Sequence, residues 1–400
     1  MAPVLGAERG SSAASAAVSE AVVGADSRPH VGLNALLLSQ PGSYRAAGIS
    51  GYSAGLLAHL PEAAPRYRFS AWLPARHPEF AGIEQHLPSW STDKVVARIA
   101  WEQLALPFAA RRARLDLLHG LAFSLPVLAP CPMVVTIMDM SFAIFPQFHP
   151  RSRRLYLSLA TRLAARSATA VIALSENTKR DACRILGIPA QKVHVVPCGV
   201  SERFRPLSAA ERAAFRERHG LGPYIYYQGT LEPRKNLVRL IQAFARLRRQ
   251  GLTSHKLVIG GAPGWGFEEV YTEVEWQGLE DSVLFLGFVP DDEAPYWYAA
   301  ADVSVYPSLY EGFGLPLLEA MACGTPVVAA DNSSLPEVVG DAGLLFPAED
   351  VEALAESLGS LLEDEGRRVA LAEAGLQRSR SYSWWKVAEL TAAVYSQCLG

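Results

Sequence analysis

Cysteine is sparse and unpaired in this 400-residue chain. Its five cysteines (131, 183, 198, 323 and 398) are odd in number, scattered, and form no CxxC pair. That argues against a disulfide framework or structural zinc and points to a reducing compartment. No apolar run approaches the roughly 20 residues that a membrane-spanning helix needs. An excess of positive charge is also missing: the formal net charge is -3, so binding of nucleic acid through overall electrostatics is not expected. No short-period repeat is present, which argues against a solenoid. Charged residues make up only 19% and apolar residues 50%, a globular composition without bulk disorder, and the length suits two domains. The segment 1–28 is rich in Ala, Ser and Gly. It lacks the compact apolar core of a secretory signal, and acidic residues interrupt it. A disordered tail on a cytoplasmic protein is the expectation.

Beyond that segment the chain alternates. VGLNALLL (31–38), YRFSAWLP (67–74), LDLLHG (115–120), VVTIMD (134–139), ATAVIALS (168–175) and VHVVPCG (193–199) are short apolar runs separated by turns and helical stretches. Runs apolar on both faces are expected of parallel strands covered by helices. The pattern breaks over 200–222, which is polar and reads as a linker with a short helix. A second series then begins: YIYYQG (224–229), KLVIGG (256–261), VLFLGFV (283–289), DVSVYP (302–307), TPVVAAD (325–331) and GLLF (343–346). Two series imply two doubly wound α/β domains, 29–200 and 201–382, with 383–400 as a terminal helix. In such sheets ligands gather where strands end and helices begin.

The richest of these junctions is YPSLYEGFGLPLLEAMACGTPVV (306–328). Pro316 suits a first helical turn and Gly324 a helix stop, which places Glu319 in the first two turns and Glu311 in the loop above. Gly312 and Gly314 allow close backbone approach, and the helix N-terminus offers free N–H groups to an anion. Carboxylates beside a phosphate would repel it, so both should point at neutral hydroxyls, those of a sugar and a ribose. Taken alone, Glu319 could instead complement the helix dipole and Glu311 be solvated. A second junction, GTLEPRKN (229–236), carries Arg234 and Lys235. Lysine is scarce in this chain, which makes Lys235 in a strand–helix turn more telling than a solvated cation. His119 ends the strand LDLLH, where a structural role is commoner than a catalytic one.

EGFGLPLLE followed by AMACGTPVV resembles the signature of the retaining family-4 glycosyltransferases. Their GT-B fold sets two Rossmann-like domains across a cleft, with the C-terminal helix crossing back to the first. The similarity continues through SSLPEVVGDAGLLF (333–346), VLFLGFVPDDE (283–293) and YYQGTLEPRKNLVRLIQAF (226–244). It is looser in the first half, at RAAGISGYSAGLLAHL (45–60), VVTIMDMSF (134–142) and 171–200.

The resemblance implies a nucleotide-diphosphate sugar as donor. Glu319 would hold its ribose and Glu311 the transferred sugar, with the backbone of Gly312, Phe313, Gly314 and Leu315 around sugar and phosphates. The turn opened by Gly229 would bind the diphosphate through Lys235, with Arg234 supplying the charge of the family's usual arginine, whose place is Thr230. Gly48 would let the diphosphate approach, although tight turns need glycine anyway. Phe288 and Val289 would cradle the base, ordinary strand-end packing being the alternative. Where the family usually carries a histidine before the aspartate stands Met138, followed by Asp139 among the catalytic groups.

The implied reaction is retaining, metal-independent hexosyl transfer by front-side displacement, needing no cofactor. GDP-mannose is the leading donor, a UDP-sugar the next, and the acceptor is a saccharide or lipid-linked hydroxyl. A non-catalytic sugar-nucleotide binder and a UDP-sugar 2-epimerase are the rivals. Finally, HPRSRRLYLSLATRLAARS (149–167) reads as a helix with Arg151, Arg154, Arg162 and Arg166 on one arc, edged by Leu155, Leu159 and Leu163. Either the leucines pack on the sheet and the arginines are solvated, or the helix lies on an anionic membrane at the inner face of the plasma membrane.

Overall fold

The computed structural model describes residues 26–39 and 48–400. Most of the expected tail lies outside the described residues, as does the start of the RAAGISGY stretch before Gly48. Each expected apolar run contains a strand. The first sheet holds β1 (His30–Asn34), β2 (Arg68–Trp72), β3 (Ile83–His86), β4 (Leu117–Gly120), β5 (Met133–Ile137), β6 (Ala170–Ala173) and β7 (Val193–Val195). Its order is β3-β2-β1-β4-β5-β6-β7 and every pairing is parallel. The second holds β8 (Tyr224–Gln228), β9 (Lys256–Gly260), β10 (Val283–Gly287), β11 (Val303–Tyr306), β12 (Val327–Ala330) and β13 (Gly343–Phe346). Its order is β10-β9-β8-β11-β12-β13, again all parallel.

The central strands β1, β4, β5 and β6 are buried along their whole length, because helices cover both faces. Helix Leu237–Arg249 shows how the covering works. Leu237, Leu240, Ile241, Phe244 and Leu247, at helical spacing, are all buried against the second sheet's layer. Strand β3 had no counterpart among the expected runs. It is an edge strand reading IEQH, and only Ile83 is buried, so it carries no apolar run to find.

The helix Trp384–Leu399 crosses back onto the first domain, starting from a Ser383 cap that accepts from Lys386 N–H. It packs on the helix Ile49–Ala63, where a side chain at Gly55 would strike the Trp384 ring at 2.2 Å. Its Tyr395 hydroxyl bonds the His119 Nδ1 at 2.7 Å, while the His119 Nε2 meets Thr136 at 2.9 Å. Fully buried and satisfied on both ring nitrogens, His119 is a structural residue of this crossover. Burial pushes its pKa down to about 3, so it stays neutral.

The helix over Arg151–Ser167 is present, but its leucines do not pack on the sheet. Thr161, Ala164 and Ala165 form the buried face, while Leu155 and Leu159 are 65% and 61% exposed and Leu163 is 38% exposed. The packing alternative for these leucines is therefore overturned. The arginines divide as well. Arg154 and Arg162 turn into a groove with Phe142, Pro146 and Ile185, so the basic arc is not wholly solvent-facing.

A candidate donor site at the switch points of the two sheets

In each sheet the chain order reverses once, between β1 and β4 and between β8 and β11. The crevice outside the strand ends at such a reversal is where an open α/β sheet receives a ligand. In the second domain the two loops bounding that crevice are GTLEPRKN, after β8, and PSLYEGFG, after β11. The two sequence motifs thus meet for a topological reason, although about 76 residues separate Lys235 from Glu311.

They meet by ion pairing. The Glu311 carboxylate lies 2.7 Å from the Lys235 Nζ and 3.1 Å from the Arg234 guanidinium. Burial alone would raise the Glu311 carboxyl, but the two cations outweigh it and hold the group at about 2. Lys235 also donates to the Tyr306 hydroxyl at 2.9 Å. Arg234 pairs with Glu232 at 2.6 Å and donates to the Tyr310 carbonyl. Burial works against the Arg234 charge, and Glu311, Glu232 and Asp139 raise its pKa in net. Two carboxylates therefore face two cations, and the cluster is close to neutral as it stands.

The local backbone places these groups. Pro233–Lys235 forms a single 3-10 turn, and Asn236 follows it at φ 62°, in the left-handed region that asparagine tolerates. Its amide donates to the carbonyls of Pro307 and Ala348 at 2.9 and 2.8 Å, tying the β8 loop to the β11 loop. Gly314, at φ 108°, opens the helix Leu315–Ala322, which carries Pro316 in its first turn and Glu319 beyond it. Burial pushes the Glu319 carboxyl up to about 7, against the pull of Arg203 and the Tyr298 hydroxyl. Glu319 and Glu311 thus sit in opposite electrostatic settings eight residues apart.

The first domain closes on this crevice. A Cβ at Gly312 would lie 1.9 Å from the Met138 carbonyl oxygen and 2.8 Å from the Asp139 Cβ, so only glycine fits there. The Gly312 carbonyl accepts from the Ser175 and Thr178 hydroxyls at 2.8 and 3.1 Å. The Glu337 carboxylate accepts from the backbone N–H groups of Glu176 and Asn177, at the first-domain helix that Ser175 caps. Asp139 accepts from Ser141 N–H and Oγ at 2.9 and 2.8 Å, which fixes its side chain next to Gly312. Gly48, at φ 64°, precedes the helix Ile49–Ala63, and the position of Gly51 in its first turn looks at Leu315 from about 4.0 Å. Two helix N-termini therefore face each other across the cleft, an arrangement that favours an anion between them.

The remaining expected residues divide. At Gly229 an added Cβ would meet the Tyr227 hydroxyl at 2.6 Å, and it is Gly261, in the loop after β9, whose missing side chain lets that loop come within reach of the Gly229 carbonyl. Val289 is buried and packs near Gly260, whereas Phe288 stands 38% exposed at the end of β10. Sequence reasoning gave no role to Glu232, Asn236, Tyr306, Ser175, Thr178 or Glu337. Of these, only Ser175-x-x-Thr178 announces itself as a helix cap. Among the described residues no group of three or more His, Cys, Asp or Glu is placed to hold a metal ion.

Residues 211–378 match the family model described as glycosyl transferases group 1, and residues 51–204 match that of glycosyltransferase family 4. The O-antigen chain mannosyltransferase B of Escherichia coli is 38% identical over 269 residues, 66% of this chain and 70% of that one. This chain belongs to the group 1 glycosyltransferases. A second relative, the D-inositol 3-phosphate glycosyltransferase of Xylanimonas cellulosilytica, is 37% identical over 242 residues. That match covers 58% of this chain and 57% of the relative, so it spans little more than half of that relative's length. The sucrose-phosphate synthase of Thermosynechococcus elongatus superposes with a TM-score of 0.76 at 22% identity, over 92% of this chain and 99% of its own. HepE from Anabaena, in complex with UDP and glucose, superposes with a TM-score of 0.71 at 20% identity, over 92% and 100%. The fold of this glycosyltransferase is GT-B, as the resemblance implied, and its activity is glycosyl transfer.

Proposed function

We propose that this glycosyltransferase moves mannose from GDP-mannose to a hydroxyl of a saccharide or lipid-linked acceptor, with retention at the anomeric carbon and without a metal. The observation that carries this reading is Glu311 bracketed by Lys235 and Arg234, at a crevice where two helix N-termini face each other. The mannosyl donor rests on likeness to the O-antigen mannosyltransferase. A UDP-sugar is the next candidate, since the HepE complex holds UDP and glucose.

In this reading the diphosphate lies between the helix starts at Gly48 and Gly314, with Lys235 and Arg234 beside it. Because Glu311 and Glu232 already balance those cations, backbone N–H groups must supply much of the net attraction for the phosphates. Glu311, held ionised, accepts from hydroxyls of the transferred sugar, and Glu319 accepts from the ribose. The bond from the anomeric carbon to the phosphate oxygen breaks, and its electron pair leaves on the diphosphate. The acceptor oxygen bonds the same face, and its proton passes to the departing phosphate oxygen. Lys235 and Arg234 stabilise the charge that develops there. Asp139 and the Met138 backbone, pressed against Gly312, complete the wall around the sugar.

A thermal-shift screen with GDP-, UDP- and dTDP-sugars tests the reading, since a ligand that binds only the folded state raises Tm. GDP-mannose should give the largest shift, and NMR of the product should show the donor's anomeric configuration. No shift with any nucleotide sugar, or an inverted product, would overturn it.

The acceptor side is proposed to meet an anionic membrane. Leu155, Leu159 and Leu163 project from a helix that also carries Arg151, Arg153 and Arg166 on exposed positions. Val96, Leu104, Phe108 and Leu128, elsewhere on the first domain, are likewise exposed. Leucines at the acyl boundary with arginines at the headgroups suit an anionic surface. Co-sedimentation should require anionic lipid, weaken with salt, and drop in the triple variant Arg151→Ser, Arg153→Ser, Arg166→Ser, which removes those exposed arginines. Equal binding to neutral vesicles, or none at low salt, would overturn the proposal.

A further inference from the structure

Among the described residues, thirteen buried side-chain nitrogens and oxygens have no hydrogen-bond partner, and four of them gather at one rim of the cleft. They are both ring nitrogens of His149, the indole Nε1 of Trp265 and the Arg234 Nε. His149 comes from the first domain, between the 3-10 turn Pro146–Phe148 and the helix Arg151–Ser167. Trp265 comes from the second, in the loop after β9. The two rings approach to 6.0 Å between centroids at a tilt of 45°, the ring contact Trp265 makes. Arg234, Asp139 and Glu232 all lie close enough to His149 to act on its charge.

Trp265 is held, not loose. Its loop is joined to the GTLEPRKN turn by Leu231 N–H to Ala262 carbonyl at 3.0 Å and Gly264 N–H to Leu231 carbonyl at 2.9 Å. Gly266, at φ 62°, turns the chain where a Cβ would meet Pro233 at 3.0 Å. The indole is therefore set in place by the same turn that presents Arg234 and Lys235. Burial, with Arg153 alongside, lowers the His149 pKa, so the neutral ring offers one donor and one acceptor.

Buried polar atoms are almost always satisfied, so a cluster of unsatisfied ones calls for a partner, and a bound molecule is one that could supply it. Here the set comprises an indole beside an imidazole, with two or three N–H donors and one ring-nitrogen acceptor. That matches a pyranose ring, apolar on one face and hydroxylated around its edge. The base end of the proposed donor lies at β10, by Phe288 and Val289, whereas the ring next to Trp265 belongs to the opposite domain. We infer that Trp265 and His149 form the subsite for the acceptor's sugar ring, held between the two domains beside the leaving diphosphate. This rests on the glycosyl-transfer reading above and deepens it.

The test uses the full chain labelled with 5-fluorotryptophan, in which the Trp265 resonance is assigned by Trp265→Phe. Methyl α-mannoside, methyl α-glucoside and methyl α-galactoside are the probes, each added to protein saturated with GDP. At least one should move the Trp265 resonance saturably, while GDP alone leaves it in place. His149→Ala, checked for unchanged Tm, should weaken that response by roughly tenfold through loss of hydrogen bonds and leave GDP binding unchanged. With a responding glycoside as acceptor, Trp265→Ala should raise its KM and spare the KM for donor. A Trp265 resonance that follows GDP but no glycoside would assign the indole to the donor and overturn the inference. Response to none of the three would reduce the ring pair to interdomain packing. Failure of the transfer reading shows separately, as absence of any nucleotide-induced rise in Tm.

Discussion

Glu319→Gln should stabilise the protein above pH 7 and leave it unchanged near pH 4. Burial lifts the Glu319 carboxyl from 4.5 to about 7 in the folded state. Between those values the folded protein keeps a proton that the unfolded chain releases, so stability falls as pH rises through the window. Below 4.5 both states are protonated and the carboxyl contributes no penalty. Above 7 both are ionised and the buried charge costs about 3 kcal/mol, since each tenfold change in the ionisation constant is worth about 1.4 kcal/mol. Glutamine has the same shape and no charge at any pH, so it should recover most of that. For a domain of this size the gain corresponds to roughly 6–12 °C in the melting temperature. Melting curves of both proteins from pH 4 to 9 give the difference directly, which cancels every other titrating group. Parallel curves would refute the buried carboxyl. The same group ties stability to function. A ribose whose hydroxyls donate to Glu319 favours the ionised form, so donor binding at pH 6–7 should release protons. Calorimetry in two buffers of different ionisation enthalpy would measure the release, and it should vanish in Glu319→Gln. Proton uptake on binding, or a release that survives the substitution, would show that the ribose is held elsewhere.

Lys235→Ala should lower the rate on the order of 10²-fold, as for removal of a charge stabiliser at a leaving group, with kcat as the measurement. Glu311→Ala should cut turnover more than donor affinity, read from kcat against donor Kd. Activity should survive EDTA; complete loss with recovery on Mn²⁺ would refute metal-free transfer. Met138→His should keep the fold and change donor preference or raise turnover, checked by rates across a donor panel.

Much of the fold was legible because parallel strands buried on both faces leave continuous apolar runs. All six strands of the second sheet lie within the runs that the sequence offers. The first sheet yields less at its edge, where β3 has one buried residue in four and pairs on one side only. The helix Arg151–Ser167 misleads for a related reason. Its leucines have the spacing of a packing stripe, yet the face that packs is made of Thr161, Ala164 and Ala165, small residues that let the helix sit close. Amphipathic spacing identifies a helix without saying which side is inside.

The candidate site was legible as motifs and not as a network. Glu311, Lys235 and Arg234 could be named from their turns, but not the fact that one carboxylate spans both cations, nor that Glu232 takes up the remaining Arg234 charge. Such pairings depend on which loops flank a sheet's reversal, and β8 and β11 become neighbours only through the crossover topology. The contacts between domains lie further still from the sequence. Gly312 looks like a turn glycine, and its φ is not in the left-handed region. What requires glycine there is the Met138 carbonyl, 1.9 Å from where a Cβ would stand. The backbone carbonyl cannot swing aside as a side chain would, so Gly312→Ala must move one domain against the other. Both helix starts would survive, with Lys235 and Glu311 still paired inside the second domain. Nucleotide-induced stabilisation should therefore persist while transfer falls, because the wall that Met138 and Asp139 form has withdrawn from the sugar. Loss of nucleotide binding in Gly312→Ala would mean that the loop, and not the closure, is what the glycine serves.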